Sequence, residues 1–438
     1  MWQLLKQKRL LNDAVWALSG QLLSALALLI GTRVLTEWVT PDVFGQVALL
    51  NGFVALGVAV FSYPFICAGM RLLPECRNQS ERAALHKAVL GLTARFTVLA
   101  LLLLMVGGAV YATVMQSAIG LFMLTGLLLA VTVRRELGIQ LLIGERKQRG
   151  ASLWQTTDSV LRPLLAIGLL LWLGADAGAI LLGYIIASVL SNTLWAIVHA
   201  DEPQTHKSPT ITAAFKRQVW RYALPLLPME LIFWLNGVGD RYVIGFMLSA
   251  ADVGLYAAAY LLINEAFNRS AMVLLRIFQP TYFQAFAEGN VNQAFSVLKL
   301  WLSSVLALGC VGVALVFFGK FWVAEGLLAK TYADAAVLMP AIAMGSALNA
   351  LGTVLAQPLL AKKRPQMILK GRLCGALVLI ISLPLMLHEY GLPGAAWANP
   401  LYFGIEALLL ALLAKPWRRI QINPVCHALQ CRLNDYQF

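Results

Sequence analysis

Long apolar runs, interrupted by short polar or basic segments, set the plan of this chain. Runs long enough to cross about 30 Å of hydrocarbon begin near Ala14, Phe44, His86, Ala118, Ser152, Gly178, Tyr222, Val253, Phe295, Ala335, Ile368 and Leu392. They predict about twelve membrane-spanning helices. The connecting segments are short, and the longest runs from His199 to Val219.

Two phrases recur in register. Thr40-Pro41-Asp42-Val43-Phe44-Gly45-Gln46-Val47-Ala48 leads into the second run, and Ser249-Ala250-Ala251-Asp252-Val253-Gly254-Leu255-Tyr256-Ala257 leads into the eighth. Gly45 falls over Gly254 and Ala48 over Ala257. Leu141 to Arg146 closes the fourth run as Leu359 to Arg364 closes the tenth. Matching markers in two halves indicate a duplicated bundle, a plan that many transporters share, with the substrate path at the repeat interface. The expected fold is an all-α integral membrane protein, with two six-helix bundles related by a parallel repeat. Residues 1–200 would form the first bundle, 201–221 a cytoplasmic linker, 222–414 the second bundle and 415–438 a basic cytoplasmic tail.

Composition agrees, since 60% of the 438 residues are hydrophobic and 13% charged, a balance foreign to soluble domains. The charge lies at one set of span ends. Lys6, Lys8, Arg9; Arg71, Arg77, Arg82, Lys87; Arg146, Lys147, Arg149; Lys207, Lys216, Arg217, Arg221; Lys362, Lys363, Arg364; and Lys415, Arg418, Arg419 alternate with loops nearly free of Lys and Arg. Basic loops stay in the cytoplasm, so both termini are expected there. Topology therefore accounts for the formal charge of +13, and no nucleic-acid partner is implied. The run from Ala14 lacks a small-residue cleavage pattern and reads as a permanent helix. Cys67, Cys76, Cys310, Cys374, Cys426 and Cys431 contain no CxxC spacing, so free thiols and no metal site are expected.

Loops this short leave no room for a catalytic domain, and no GxxxxGK[ST] phosphate loop is present. The chain reads as a carrier, with no catalytic residue. A membrane polysaccharide polymerase or ligase, the reading from another class, would need a sizeable outer loop.

Charges within the spans carry the functional information, because each costs roughly 2.5–3.5 kcal/mol at mid-membrane unless it faces a bundle interior or an aqueous cavity. Span three holds Arg95, and span four holds Arg134, Arg135 and Glu136. Asp158 and Arg162 share a face of span five at i,i+4. Span seven holds Glu230, Asp240 and Arg241; span eight puts Glu265, Arg269 and Arg276 on one stripe beside Asn264 and Asn268; Glu406 is alone in span twelve. Arg95, Arg134 and Arg135, with Glu136 as their nearby acid, would offer an unpaired cationic surface whose guanidinium forks match phosphate oxygens. The alternative for Arg134 and Arg135 is the ragged cytoplasmic end of span four. For the Asp158–Arg162 and Glu265–Arg269 pairs, a structural role and a transport role stand open together. Asp158, Glu265, Asp240 and Glu230 are the candidate carboxylates for H⁺ or Na⁺ coupling. Pro163, Pro225, Pro228, Pro358 and Pro384 read either as bending points or as ordinary packing kinks.

Arg33 with Thr40 to Gly45, Tyr222-Ala223-Leu224-Pro225, Asp240-Arg241-Tyr242 and Val253 to Tyr260 resemble the pattern of bacterial polysaccharide flippases of the multidrug/oligosaccharidyl-lipid/polysaccharide (MOP) exporter superfamily. Ala250-Ala251 departs from the Gly-Pro-like turn common at the start of span eight. The resemblance implies a V-shaped pair of bundles. It implies a substrate too: an undecaprenyl-pyrophosphate-linked repeat unit for O-antigen, capsule or exopolysaccharide, moved from the cytoplasmic to the periplasmic leaflet of the inner membrane. Arg95, Arg134, Arg135 and Arg162, with Arg269 and Arg276 in the second half, would bind substrate. Polysaccharide polymerase and chain-length machinery would be partners. A drug or metabolite exporter of the same superfamily is the runner-up.

Overall fold

The computed structural model describes residues 2–76, 78–115, 119–145, 147–198 and 209–414, and among these no strand occurs. The helices are α1 (Trp2–Trp38), α2 (Pro41–Phe61), α3 (Tyr63–Leu72), α4 (Gln79–Met115), α5 (Gly120–Gly144), α6 (Gln148–Leu173), α7 (Ala177–Val198), α8 (Pro209–Ala223), α9 (Leu227–Met247), α10 (Ala250–Ala287), α11 (Val291–Leu327), α12 (Ala335–Leu355), α13 (Gln357–Ala361) and α14 (Pro365–Ala414). Arg77, Arg146, Lys207, Cys426, Cys431, residues 201–208 of the 201–221 linker and the 415–438 tail lie outside the described residues.

Among the described residues, eight helical segments are long and apolar enough to cross a membrane: Ser19–Trp38, Pro41–Leu72, Gln79–Val110, Gln148–Leu173, Ala177–Ile197, Val291–Leu327, Ala335–Ala361 and Pro365–Ala414. The chain is a multi-pass membrane protein. Helices α5, α9 and α10 fall outside that set, and they are the ones that hold Arg134 to Glu136, Glu230 with Asp240 and Arg241, and Glu265 with Arg269 and Arg276.

Local chemistry fixes the helix boundaries. Pro41 follows Thr40 at the first turn of α2, where a missing N–H costs nothing. At α10, Ser249 accepts from the Asp252 N–H at 3.1 Å and donates to its carboxylate at 2.5 Å, a variant of the reciprocal N-terminal cap. Proline breaks α8 from α9 at Pro225, and α13 begins at Gln357-Pro358. Pro163 stays inside α6. Within α14 the helix is interrupted at Gly391, whose φ is +61°, a left-handed value that glycine adopts without strain.

The chain packs as two compact units, one of Met1–Leu262 with Gly319–Leu338 and Leu383–Ala395, the other of Ile263–Phe318, Met339–Ser382 and Ala396–Phe438. In the first unit, α9 lies on α2 through Trp234 Nε1 donating to the Gly52 carbonyl at 3.0 Å and the Tyr242 hydroxyl donating to that of Leu49 at 2.8 Å. The same unit holds the start of α10 against the start of α2. A Cβ on Gly45 would overlap the Ala250 carbonyl oxygen, and a Cβ on Gly254 would overlap that of Pro41. The repeated phrases thus pack on each other reciprocally, each glycine against the first residue of the other helix. In the second unit, Trp301 and Tyr282, both fully buried, centre a core between α10 and α11.

Candidate substrate and ion site

A charged cluster forms where α5, α6 and α7 meet in the first unit. Its scaffold is a close approach of α6 and α7: a Cβ on Gly183 would stand 2.5 Å from the Ala166 Cα. One turn before Ala166, Arg162 and Asp158 share a stripe of α6. Tyr184, Ser188 and Ser191 share one of α7 at i, i+4 and i+7. Helix α5 contributes Thr132, Arg135 and Glu136.

Asp158, 1% exposed, is the hub. Its Oδ2 takes Arg135 Nη1 and, at 2.9 Å, Arg162 Nε. Its Oδ1 accepts from the hydroxyls of Ser188 at 2.8 Å and Ser191 at 3.2 Å. Arg162 Nη2 donates to Ser188 Oγ at 3.0 Å, and the guanidinium lies 5.8 Å from the centre of the Tyr184 ring, within cation–π range. Arg135 Nη2 reaches Glu136 Oε1 at 2.5 Å. Two guanidinium groups therefore meet two carboxylates, and the cluster is formally neutral. The expectation of Arg135 as an unpaired cation with Glu136 as its nearby acid is corrected. Its second acid, Asp158, comes from the neighbouring helix, 23 residues along the chain.

Arg95 and Arg134 lie apart from this network. Arg134 is exposed, one position before Arg135 and so turned away on α5. Arg95 is exposed on the stripe of α4 that carries Val98, Leu102 and Val106. Neither makes an ion pair among the described residues. Sequence reasoning missed Thr132, Tyr184, Ser188 and Ser191; two serines and a tyrosine at helical spacing on an otherwise apolar helix were the available signal.

The remaining charges occupy separate places. Asp240, 1% exposed, accepts the Tyr256 hydroxyl at 2.6 Å and the Arg241 N–H at 2.8 Å, while the Arg241 guanidinium lies 5.2 Å from the Tyr260 ring centre. Glu230 is half-buried in the first turn of α9. In the second unit, Arg269 pairs with Glu265 at the expected i,i+4 spacing, and Arg276 is exposed. Glu406, 1% exposed, is met by Arg372 Nη1 at 2.8 Å, a partner 34 residues earlier on the other limb of α14. Cys67, Cys76, Cys310 and Cys374 are free thiols.

Among the described residues the chain is a helical membrane protein with ion pairs set among apolar faces. The sequence signature of the polysaccharide biosynthesis protein family matches residues 10–275, and the chain belongs to that family. Its fold is that of the MOP exporters. It is similar to the lipid II flippase MurJ in an inward closed conformation, at 15% identity and a TM-score of 0.70, covering 92% of this chain and 87% of that one. It is similar to an inward-facing multidrug resistance MATE transporter of the MOP superfamily, at 15% identity and 0.67, covering 92% and 97%. A MATE transporter of Vibrio cholerae matches at 12% identity and 0.60, covering 93% and 96%. No curated protein matches the chain significantly.

Proposed function

We propose that the protein is a flippase that moves undecaprenyl-pyrophosphate-linked oligosaccharide repeat units from the cytoplasmic to the periplasmic leaflet of a bacterial inner membrane, with both termini cytoplasmic. The observation that carries this reading is the unneutralised guanidinium groups of Arg95, on a helix apolar enough to cross the membrane, and of Arg134, in a polysaccharide-family chain. An arginine kept on such a helix without an acid is costly unless it serves an aqueous path or an anion. Pyrophosphate is the invariant anionic part of such a substrate. Arg95 and Arg134 supply the contacts to it, while Arg135 and Arg162, held by Asp158, keep N–H donors at a separate place in the first unit. Arg269 and Arg276 serve the second unit. H⁺ or Na⁺ coupling is assigned to the buried Asp158 and Asp240 and to Glu230 and Glu265.

Each charge-assisted contact contributes about 1.5–3 kcal/mol, roughly a tenfold or greater change in affinity. Arg95→Ala and Arg134→Ala should therefore cut surface polysaccharide strongly at normal protein abundance. Lys should rescue poorly where the contact is bidentate. Undiminished polymer in both alanine variants would remove the anion site.

A further inference from the structure

A small pocket, open to one side, lies between α10 and α12 inside the second unit. Two polar stripes line it at helical spacing: Asn264 and Asn268 from α10, and Ser346, Asn349 and Thr353 from α12. Met272 and Leu275 add an apolar wall. Ser346 is only 4% exposed, and its hydroxyl has no hydrogen-bond partner. A buried, unsatisfied hydroxyl on a pocket wall is costly without a ligand or water to meet it.

The pocket is preorganised from behind. Arg372 Nη1, held by Glu406 at 2.8 Å, donates to Asn349 Oδ1 at 3.1 Å. That bond fixes the amide, with its oxygen toward Arg372 and its NH₂ left as the donor. Thr353 donates to the Asn349 carbonyl at 3.0 Å, so its hydroxyl oxygen is left as an acceptor. The lining holds carboxamides and hydroxyls and no formal charge. Arg372 and Glu406 behind Asn349 neutralise each other, and no lining side chain carries a charge to balance a cation or an anion. Paired donors and acceptors beside an apolar wall suit vicinal hydroxyls and the C–H face of a pyranose ring.

We propose that this pocket binds a neutral sugar residue of the transported glycan, adding sugar recognition to an otherwise phosphate-directed carrier. The proposal rests on the flippase reading above. It is tested on the full-length protein in nanodiscs with two kinds of probe: undecaprenyl diphosphate alone, and the same lipid carrying glucose, galactose or N-acetylglucosamine. Wild type should bind at least one sugar-bearing probe about tenfold more tightly than the bare lipid, the change expected from one or two net hydrogen bonds. Ser346→Ala and Asn268→Ala should bring that ratio close to one while leaving affinity for the bare lipid unchanged. Asn349 is left intact because it holds Arg372. A ratio that survives both variants overturns the proposal, as does an equal loss for both kinds of probe. Variants that abolish Na⁺-dependent thermal protection but keep the ratio would make this a cation site and overturn it too. Wild type that binds bare and sugar-bearing lipids equally refutes the pocket alone. Wild type that binds neither refutes the flippase reading, and the sugar pocket with it.

Discussion

At the scale of single residues, Asp158 decides most. Its carboxylate lies between Arg135 and Arg162 and takes two serine hydroxyls, so it ties three helices of the first unit together. Asp158→Asn keeps the volume but leaves two guanidinium groups facing each other. Removing one partner of a buried ion pair costs about 3–5 kcal/mol. The variant should melt well below wild type in detergent, and the double variant Asp158→Asn with Arg162→Gln should recover part of the loss, because it also removes the stranded cation. An unchanged melting temperature in the single variant would show that the network does not hold the helices. The i,i+4 pair of Asp158 with Arg162 was legible in the sequence because one helix contains both ends. The Arg135 link was not, and neither was the Arg372–Glu406 pair. In each, the partners lie on different helix segments, and the spacing along the chain carries no trace of the contact.

At the scale of elements, the sequence repeat marked the starts of α2 and α10, and the structure adds that these starts pack on each other. Gly45 and Gly254 are small for a reason that periodicity cannot reveal: each faces a backbone carbonyl of the other helix. Alanine at either position should cost about 1–3 kcal/mol by overpacking. The double variant should cost less than the sum, since the first collision parts the helices and relieves the second. Gly168→Ala is the control, because nothing stands within 4 Å of the added methyl and a helical alanine is favoured by about 0.5–1 kcal/mol. Melting curves of the four proteins in one detergent give the comparison. Equal behaviour of Gly45→Ala and Gly168→Ala would refute the close packing. The second echo is matched in kind and not in register: the Lys147 N–H returns to the Leu142 carbonyl at 2.8 Å and the Arg364 N–H to that of Leu359 at 2.9 Å, so both helices close with a bond reaching five residues back, one position apart in the aligned phrases.

At the scale of the whole molecule, the hydrophobic pattern located the helices but not their partners. Helix α9 begins beyond residue 222, yet it packs on α2 through Trp234 and Tyr242, and the first compact unit runs on to Leu262. Apolar runs report burial from water, and lipid and protein satisfy that requirement equally. Orientation, by contrast, is carried by the loops. The turn between α6 and α7, Gly174 to Asp176, has no Lys or Arg, whereas the turn after α13 is Lys362-Lys363-Arg364. Because short basic loops are retained in the cytoplasm, these two turns should lie on opposite sides of the membrane. Alkaline phosphatase fused after Ala175 should be active, since the enzyme matures only in the periplasm, and the same enzyme fused after Arg364 should be inactive. A β-galactosidase pair at the same positions should give the reverse. Periplasmic activity after Arg364 would invert the molecule, place Arg134 and Arg135 near the opposite leaflet and remove the cytoplasmic loading side that the flippase reading requires.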